Sequence, residues 1–190
     1  MNDKIRQNGQ GVSINKKRAN TAKECAYLAV FVSLVIAAQL AFAVVPGVEV
    51  VTVLFAAYAY TFGGKRGVLA ATAFSLLRQF VFGVYPNVLA LYLIYYNLLA
   101  LAFGALGKNG KPIKKFPVGV VWLACLCTVC FTLLDNVITA LWLDFSPRAA
   151  RVYFFASLPV AVSQTVCAAV TVGLLFAPLT KAFSIIKKGL

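Results

Sequence analysis

Long apolar runs separated by short polar breaks dominate the chain, and they predict its elements directly. Six runs stand out: Cys25 to Val45, Glu49 to Phe62, Val68 to Phe82, Val88 to Leu106, Pro117 to Leu143 and Arg151 to Leu179. A lipid hydrocarbon core about 30 Å thick takes roughly 20 apolar residues per helix. The second and third runs are therefore short for a span, and the last two are long. Lipid offers no hydrogen bonds, so each backbone N–H and C=O must be satisfied within its own segment, and such runs become helices. A membrane barrel would instead show segments of roughly ten residues with alternating apolar and polar side chains, and this chain has none. The slightest break is "VPGVE", between the first run and the second.

The opening "MNDKIRQNGQGVSINKKRAN" is polar and rich in Asn, Gly, Gln and basic residues. It predicts a disordered basic cytoplasmic tail over 1–22, ahead of one membrane domain over 23–190. It does not read as a cleavable signal, because the apolar run that follows is too long and lacks a cleavage site. Composition agrees: 12% of residues are charged, against about a quarter in soluble domains. The expected fold class is an all-α integral membrane protein, a compact bundle of six transmembrane helices.

Charge orients the bundle. Fifteen of the eighteen basic residues fall in the N-terminal stretch, in "GGKRG", in "GKNGKPIKK" and at the C-terminal end. Arg78, Arg148 and Arg151 lie elsewhere, balanced by Glu49, Asp135 and Asp144, so the net charge of +13 sits on one side. The positive-inside rule makes that side, with both termini, cytoplasmic. Anionic lipid headgroups account for this basicity, and no nucleic-acid partner is expected.

Polar residues inside the runs then acquire a level. Arg78 and Gln79 interrupt "FSLLRQFVFG" near the outer end of the third run, and Asn97, Asp135, Asn136 and Gln164 fall in the outer half or near the midplane. Tyr85, Tyr92, Tyr96 and Trp142 crowd the same level. Rings at headgroup depth form an interfacial belt as a matter of course. Ionisable groups within the membrane are costly and either pair or line a cavity. Arg78 and Asp135 thus have two readings, an ion pair bracing two helices or a ligand site open to the outside. The ligand set under the second reading is Arg78, Gln79, Tyr85, Tyr92, Tyr96, Asn97, Asp135, Asn136, Trp142 and Gln164. It suits a planar ring stacked on aromatic faces, with a carboxylate or phosphate on the guanidinium.

Several chemistries are excluded or disfavoured. No phosphate-cradling G-x-x-x-x-G-K-[ST] occurs, since "GGKRG" and "GALGKNGK" lack the spacing and the hydroxyl. Histidine, the commonest metal ligand and general base, is absent. In "CLCTVC" Cys127 and Cys130 share a helical face while Cys125 points elsewhere, with no fourth ligand nearby. No metal and no cofactor are expected.

In "VPGVEVVTVLFAAYAYTFGGKRGVLAATAFSLLRQFVFGVYPN" a Pro-Gly turn, a short helix, a "GGKRG" cytoplasmic turn and an apolar helix ending in Gly and Pro follow in order. With six short helices and both termini inside, the chain resembles the substrate-binding S component of energy-coupling factor (ECF) vitamin transporters, over about residues 22 to 188. The resemblance implies a high-affinity binding subunit for a vitamin or related micronutrient in the plasma membrane of a prokaryote. Its partners would be the ECF transmembrane coupling subunit and two ATPase subunits, and its cycle a toppling of the bundle. It also implies a docking surface of small residues on the first helix, matched here by Ala22 and Ala26 and continued by Ala29, Ser33, Ala37 and Ala41. Such a ladder lets another helix approach closely, whether from a partner or from within the bundle. The alternatives are a membrane-embedded enzyme acting on lipid or isoprenoid substrates and a self-sufficient facilitator. The enzyme needs clustered acids or a His, yet Asp135 and Asp144 are nine residues apart, about 180° around a helix.

Overall fold

The computed structural model describes residues 2–45, 49–108 and 118–189, with side chains from residue 21 onward. Six helices follow in order: α1 (Asn2–Phe42), α2 (Val51–Phe62), α3 (Gly64–Phe82), α4 (Pro86–Lys108), α5 (Val118–Trp142) and α6 (Pro147–Lys188). No strand occurs among the described residues. Four segments are long and apolar enough to cross a membrane: Thr21–Phe42, Pro86–Lys108, Val118–Trp142 and Pro147–Lys188. The helix α1 runs on into the stretch expected to be a disordered tail. The side chains there, and the lysines of the connection over 109–117, lie outside the described residues.

The "GGKRG" connection is tighter than the sequence suggests. Gly63 alone separates α2 from α3, at φ +92° and ψ 161°, a backbone region that side chains avoid. Its N–H donates to the Ala59 carbonyl at 2.8 Å, closing α2, and Lys65 and Arg66 belong to the first turn of α3. At the start of α6 the Ser146 hydroxyl accepts from the Ala149 N–H at 3.3 Å, with Pro147 in the first turn. This is a capped start with a pre-set φ, and α6 thus begins four residues before the apolar run. At its other end Lys187 Nζ donates to the Thr61 carbonyl at 2.5 Å, satisfying an open carbonyl in the last turn of α2.

The short helix α2 is the centre. At 12 residues it extends about 18 Å, and eleven of those residues are buried. A helix surrounded on every side needs no polar stripe, which explains why this run is apolar throughout. It packs on α4 and α6 most heavily, α3 pairs with α4, α5 pairs with α6, and α1 lies outside, against α2 and α3. Phe31 of α1 stacks on Tyr58 of α2 at 4.0 Å between centroids and meets Phe183 of α6 edge-on at 5.8 Å.

Packing in lipid relies on contact and on interhelical hydrogen bonds, since lipid tails are as apolar as leucine. Small residues on α4 provide that contact. A Cβ on Gly104 would fall on the Gly64 backbone, and one on Gly107 on the Tyr60 carbonyl. Across the same junction a Cβ on Gly67 would meet the Ala59 and Ala100 methyls at 2.9 and 3.0 Å. Hydroxyls in the apolar helices are satisfied locally. Thr61, Ser75, Thr128, Thr165 and Thr180 each donate to the carbonyl four residues back, so they cost little in an apolar setting. The outward surface is apolar, with Phe80, Trp122 and Leu141 largely exposed. A soluble monomer rarely shows such a surface, which is compatible with a helical bundle embedded in a membrane.

Candidate functional site

Arg78 sits one turn before the end of α3 and is only 7% exposed. Its Nε donates to Gln39 Oε1 of α1 at 3.2 Å, and its guanidinium carbon lies 4.3 Å from the centre of the Tyr92 ring and 4.7 Å from that of Phe82. Gln39 Nε2 in turn donates to the Tyr92 hydroxyl at 3.0 Å. The three side chains close a circuit between α1, α3 and α4. Two ring faces supply the negative potential that a buried cation otherwise draws from a carboxylate, each worth about 0.5–2 kcal/mol. One guanidinium nitrogen, Nη1, has no hydrogen-bond partner.

Arg78 does not pair with Asp135. The Asp135 carboxylate accepts from Thr139 Oγ1 at 3.2 Å and from the Tyr153 hydroxyl at 3.0 Å. Among the described residues the one ion pair is Arg66–Glu24 at 2.5 Å, tying α3 to α1 at the opposite end of the bundle. An intramembrane Arg costs about 3 kcal/mol on insertion scales, and the two rings largely offset it. Arg78→Met is therefore expected to change ligand-free stability by less than about 1 kcal/mol, since Met fills similar space and packs well on rings. Adding Asp135→Leu should show no coupling beyond about 0.5 kcal/mol. Thermal unfolding of the two single variants and the double variant checks this, and a loss at Arg78 that Asp135→Leu restores would reinstate the brace.

Two adjoining cavities open at this end. The first, about 220 Å³, lies between the end of α1, the start of α2, and α4, α5 and α6, and Gln39, Glu49, Tyr92, Tyr96, Phe131 and Gln164 line it. The second, about 270 Å³, lies between α5 and α6, with Phe131, Asp135, Tyr153, Ser157 and Gln164 in its wall. Phe131 and Gln164 belong to both. Arg78 lines neither and stands behind Gln39, Tyr92 and Phe82.

Of the ten expected ligand residues, Tyr92, Tyr96, Gln164 and Asp135 face these cavities. Three others tie the backbone or helices together. Gln79 accepts from the Tyr85 N–H at 3.2 Å and donates to the Ser75 carbonyl at 3.3 Å, fixing the corner between α3 and α4. Asn97 Oδ1 accepts from Thr72 Oγ1 at 3.3 Å across the same helix pair. Asn136 Nδ2 donates to Ser157 Oγ at 3.0 Å, joining α5 to α6. Tyr85 and Trp142 are each 58% exposed, outside both cavities.

The cavity residues Glu49, Gln39 and Phe131 were not among those the sequence reading placed in the site. Glu49 accepts from Thr52 Oγ1 at 2.6 Å, and its backbone N–H donates to Cys167 Sγ at 3.2 Å, drawing the start of α2 onto α6. The available signal was a lone acid opening an apolar run, in "VEVVT". Gln39, an amide three residues from the end of α1, carried a similar signal. Asp144 is exposed in the turn after α5, at φ +48°, away from the cavity that holds Asp135. Among the described residues no cluster of His, Cys, Asp or Glu is arranged to hold a metal.

On α1 the side chains of Ala22, Ala26, Ala29, Ser33, Ala37 and Ala41 are all exposed. The inward face carries Phe31, Val32 and Val35, which are buried. The small-residue ladder faces away from the rest of the chain. Compared with protein-family models, with curated proteins and with solved structures, the chain matches none.

Proposed function

We propose that this chain is the membrane-embedded binding subunit of an uptake system of the ECF type. It takes a vitamin or related micronutrient from outside a prokaryotic cell and works with a separate transmembrane coupling subunit and two ATPase subunits. The observation that carries this reading is the pair of cavities at one end of an apolar bundle, walled by tyrosines, amides and single carboxylates. Pockets that hold small ligands have this make-up, mostly apolar with a few placed polar groups. Lys65, Arg66, Lys108, Lys181, Lys187 and Lys188 gather toward the other end of the helices, whereas Arg78, Arg148 and Arg151 lie at the cavity end. On the positive-inside rule the cavities then face the exterior. The exposed ladder on α1 adds a surface suited to a partner helix, and an energy source on other chains is in keeping with a sequence in which no phosphate loop occurs.

One experiment tests both binding and orientation. Small molecules released from the purified protein are identified by mass spectrometry, then offered to right-side-out and inside-out vesicles containing the chain. Saturable binding of one released compound, confined to right-side-out vesicles, is expected. Release of no compound would end the binding reading, and binding only to inside-out vesicles would reverse the orientation. Accumulation against a gradient by the chain alone would make it a self-sufficient transporter.

A further inference from the structure

We infer that the two cavities together take an organic cation, with its positive centre between the carboxylates of Glu49 and Asp135 and beside the ring of Phe131. This rests on the cavities being the ligand site, and it names the chemical class they select. The first ground is the sign of the charge that reaches the walls. Glu49 lines one cavity and Asp135 the other, whereas the guanidinium of Arg78 lines neither. Glu49 receives a hydrogen bond from the Thr52 hydroxyl, and Asp135 from the hydroxyls of Thr139 and Tyr153. Neither carboxylate has an ion-pair partner among the described residues. Carboxylates at this depth are costly, and a cationic ligand offsets both at once.

The second ground is the shape of the aromatic wall. Tyr92 and Tyr96 meet edge to face with centroids 5.2 Å apart, and Tyr92 and Phe131 do so at 6.0 Å. The Tyr92 ring is engaged by the Arg78 guanidinium and by Phe74, which leaves Phe131, common to both walls, as the ring against which an ammonium or iminium group rests. The third ground is size. At about 220 and 270 Å³ each cavity is small, below the roughly 300–1,000 Å³ usual for organic ligands. Phe131 and Gln164 are common to both walls, so a ligand of ordinary size spans the two compartments past Phe131. The anionic group that the sequence suggested for Arg78 finds no guanidinium in either wall.

The test uses the full chain in a neutral detergent and two probes of similar size and opposite charge, benzyltrimethylammonium and 4-tert-butylbenzoate, followed by equilibrium dialysis and calorimetry. The cation is expected to bind saturably and at least about tenfold more tightly than the anion. Glu49→Gln and Asp135→Asn should each weaken it by about tenfold. Glu49 precedes α2 and Asp135 lies on α5, so if one variant fails to fold the other still decides. Preferential binding of the benzoate overturns the cation inference and leaves the ligand-site reading standing. Cation binding that neither variant weakens also overturns it, because the carboxylates then play no part. Binding of neither probe overturns it as well, and if the purified protein also releases no small molecule the ligand-site reading falls with it.

Discussion

Replacing Gly104 by alanine is expected to destabilise the bundle by about 1–3 kcal/mol, the usual cost of forcing atoms into a packed interior. Gly104→Leu should yield no monodisperse protein. The reason is the approach of α4 to the corner between α2 and α3. A Cβ at Gly104 would come far inside van der Waals contact of the Gly64 backbone N, and backbone has no rotamer by which to move aside. The corner itself depends on Gly63 at φ +92°, so it cannot swing away without undoing the one-residue connection. Gly119 provides the internal control. It lies in α5, with nothing within 4 Å of the position its Cβ would take. Gly119→Ala should therefore be neutral or gain up to about 1 kcal/mol from helix propensity. Thermal unfolding, followed by size-exclusion chromatography of heated samples, compares the two. If Gly104→Ala tolerates heat as well as Gly119→Ala does, the close approach is not what holds α4 in place.

The helices were legible because lipid imposes one strict rule on every apolar run, and α2, α4 and α5 lie within about two residues of the expected bounds. The corner at Gly63 was not legible. "GG" marks a turn without saying which glycine carries the positive φ, and Lys65 and Arg66 read as loop when they are first-turn residues of α3. The site was half legible for a related reason. Any amide or hydroxyl inside an apolar helix must find a partner, and a tie between helices satisfies it as well as a ligand does. Gln79, Asn97 and Asn136 therefore gave the same signal as Tyr92, Tyr96 and Gln164, although the first three are engaged within the protein. Arg78 and Asp135 share a level but face different neighbours. Their helical azimuths depend on packing between elements, which one chain's periodicity does not encode. Glu49 and Gln39 were passed over because residues at span ends read as connection chemistry. In the structure Gln39 and Glu49 line the first cavity.

If the chain is the ECF-type binding subunit proposed above, Ser33→Trp is expected to abolish uptake and co-purification with the coupling subunit, while ligand-free stability and ligand binding by the isolated chain stay unchanged. Ser33 lies on the exposed face of α1, with Ala29 and Ala37 one turn away on either side, and none of the three is buried in the chain. Phe31, Val32 and Val35, on the inward face, are 4%, 2% and 0% exposed. An indole added to the outer face therefore displaces lipid rather than protein, and an outward surface that already carries Phe80 and Trp122 accommodates it readily. A second helix is affected differently. Small residues four apart allow helix backbones to come close, and a bulky ring at the middle step removes that approach along the whole seam. Gly104→Leu should fail as an isolated protein, whereas Ser33→Trp should fail only in company, and comparing them separates packing within the chain from docking onto it. If Ser33→Trp lowers the thermal stability of the isolated chain as Gly104→Ala does, the ladder packs internally. If it leaves uptake intact, the partner docks on another face of the bundle.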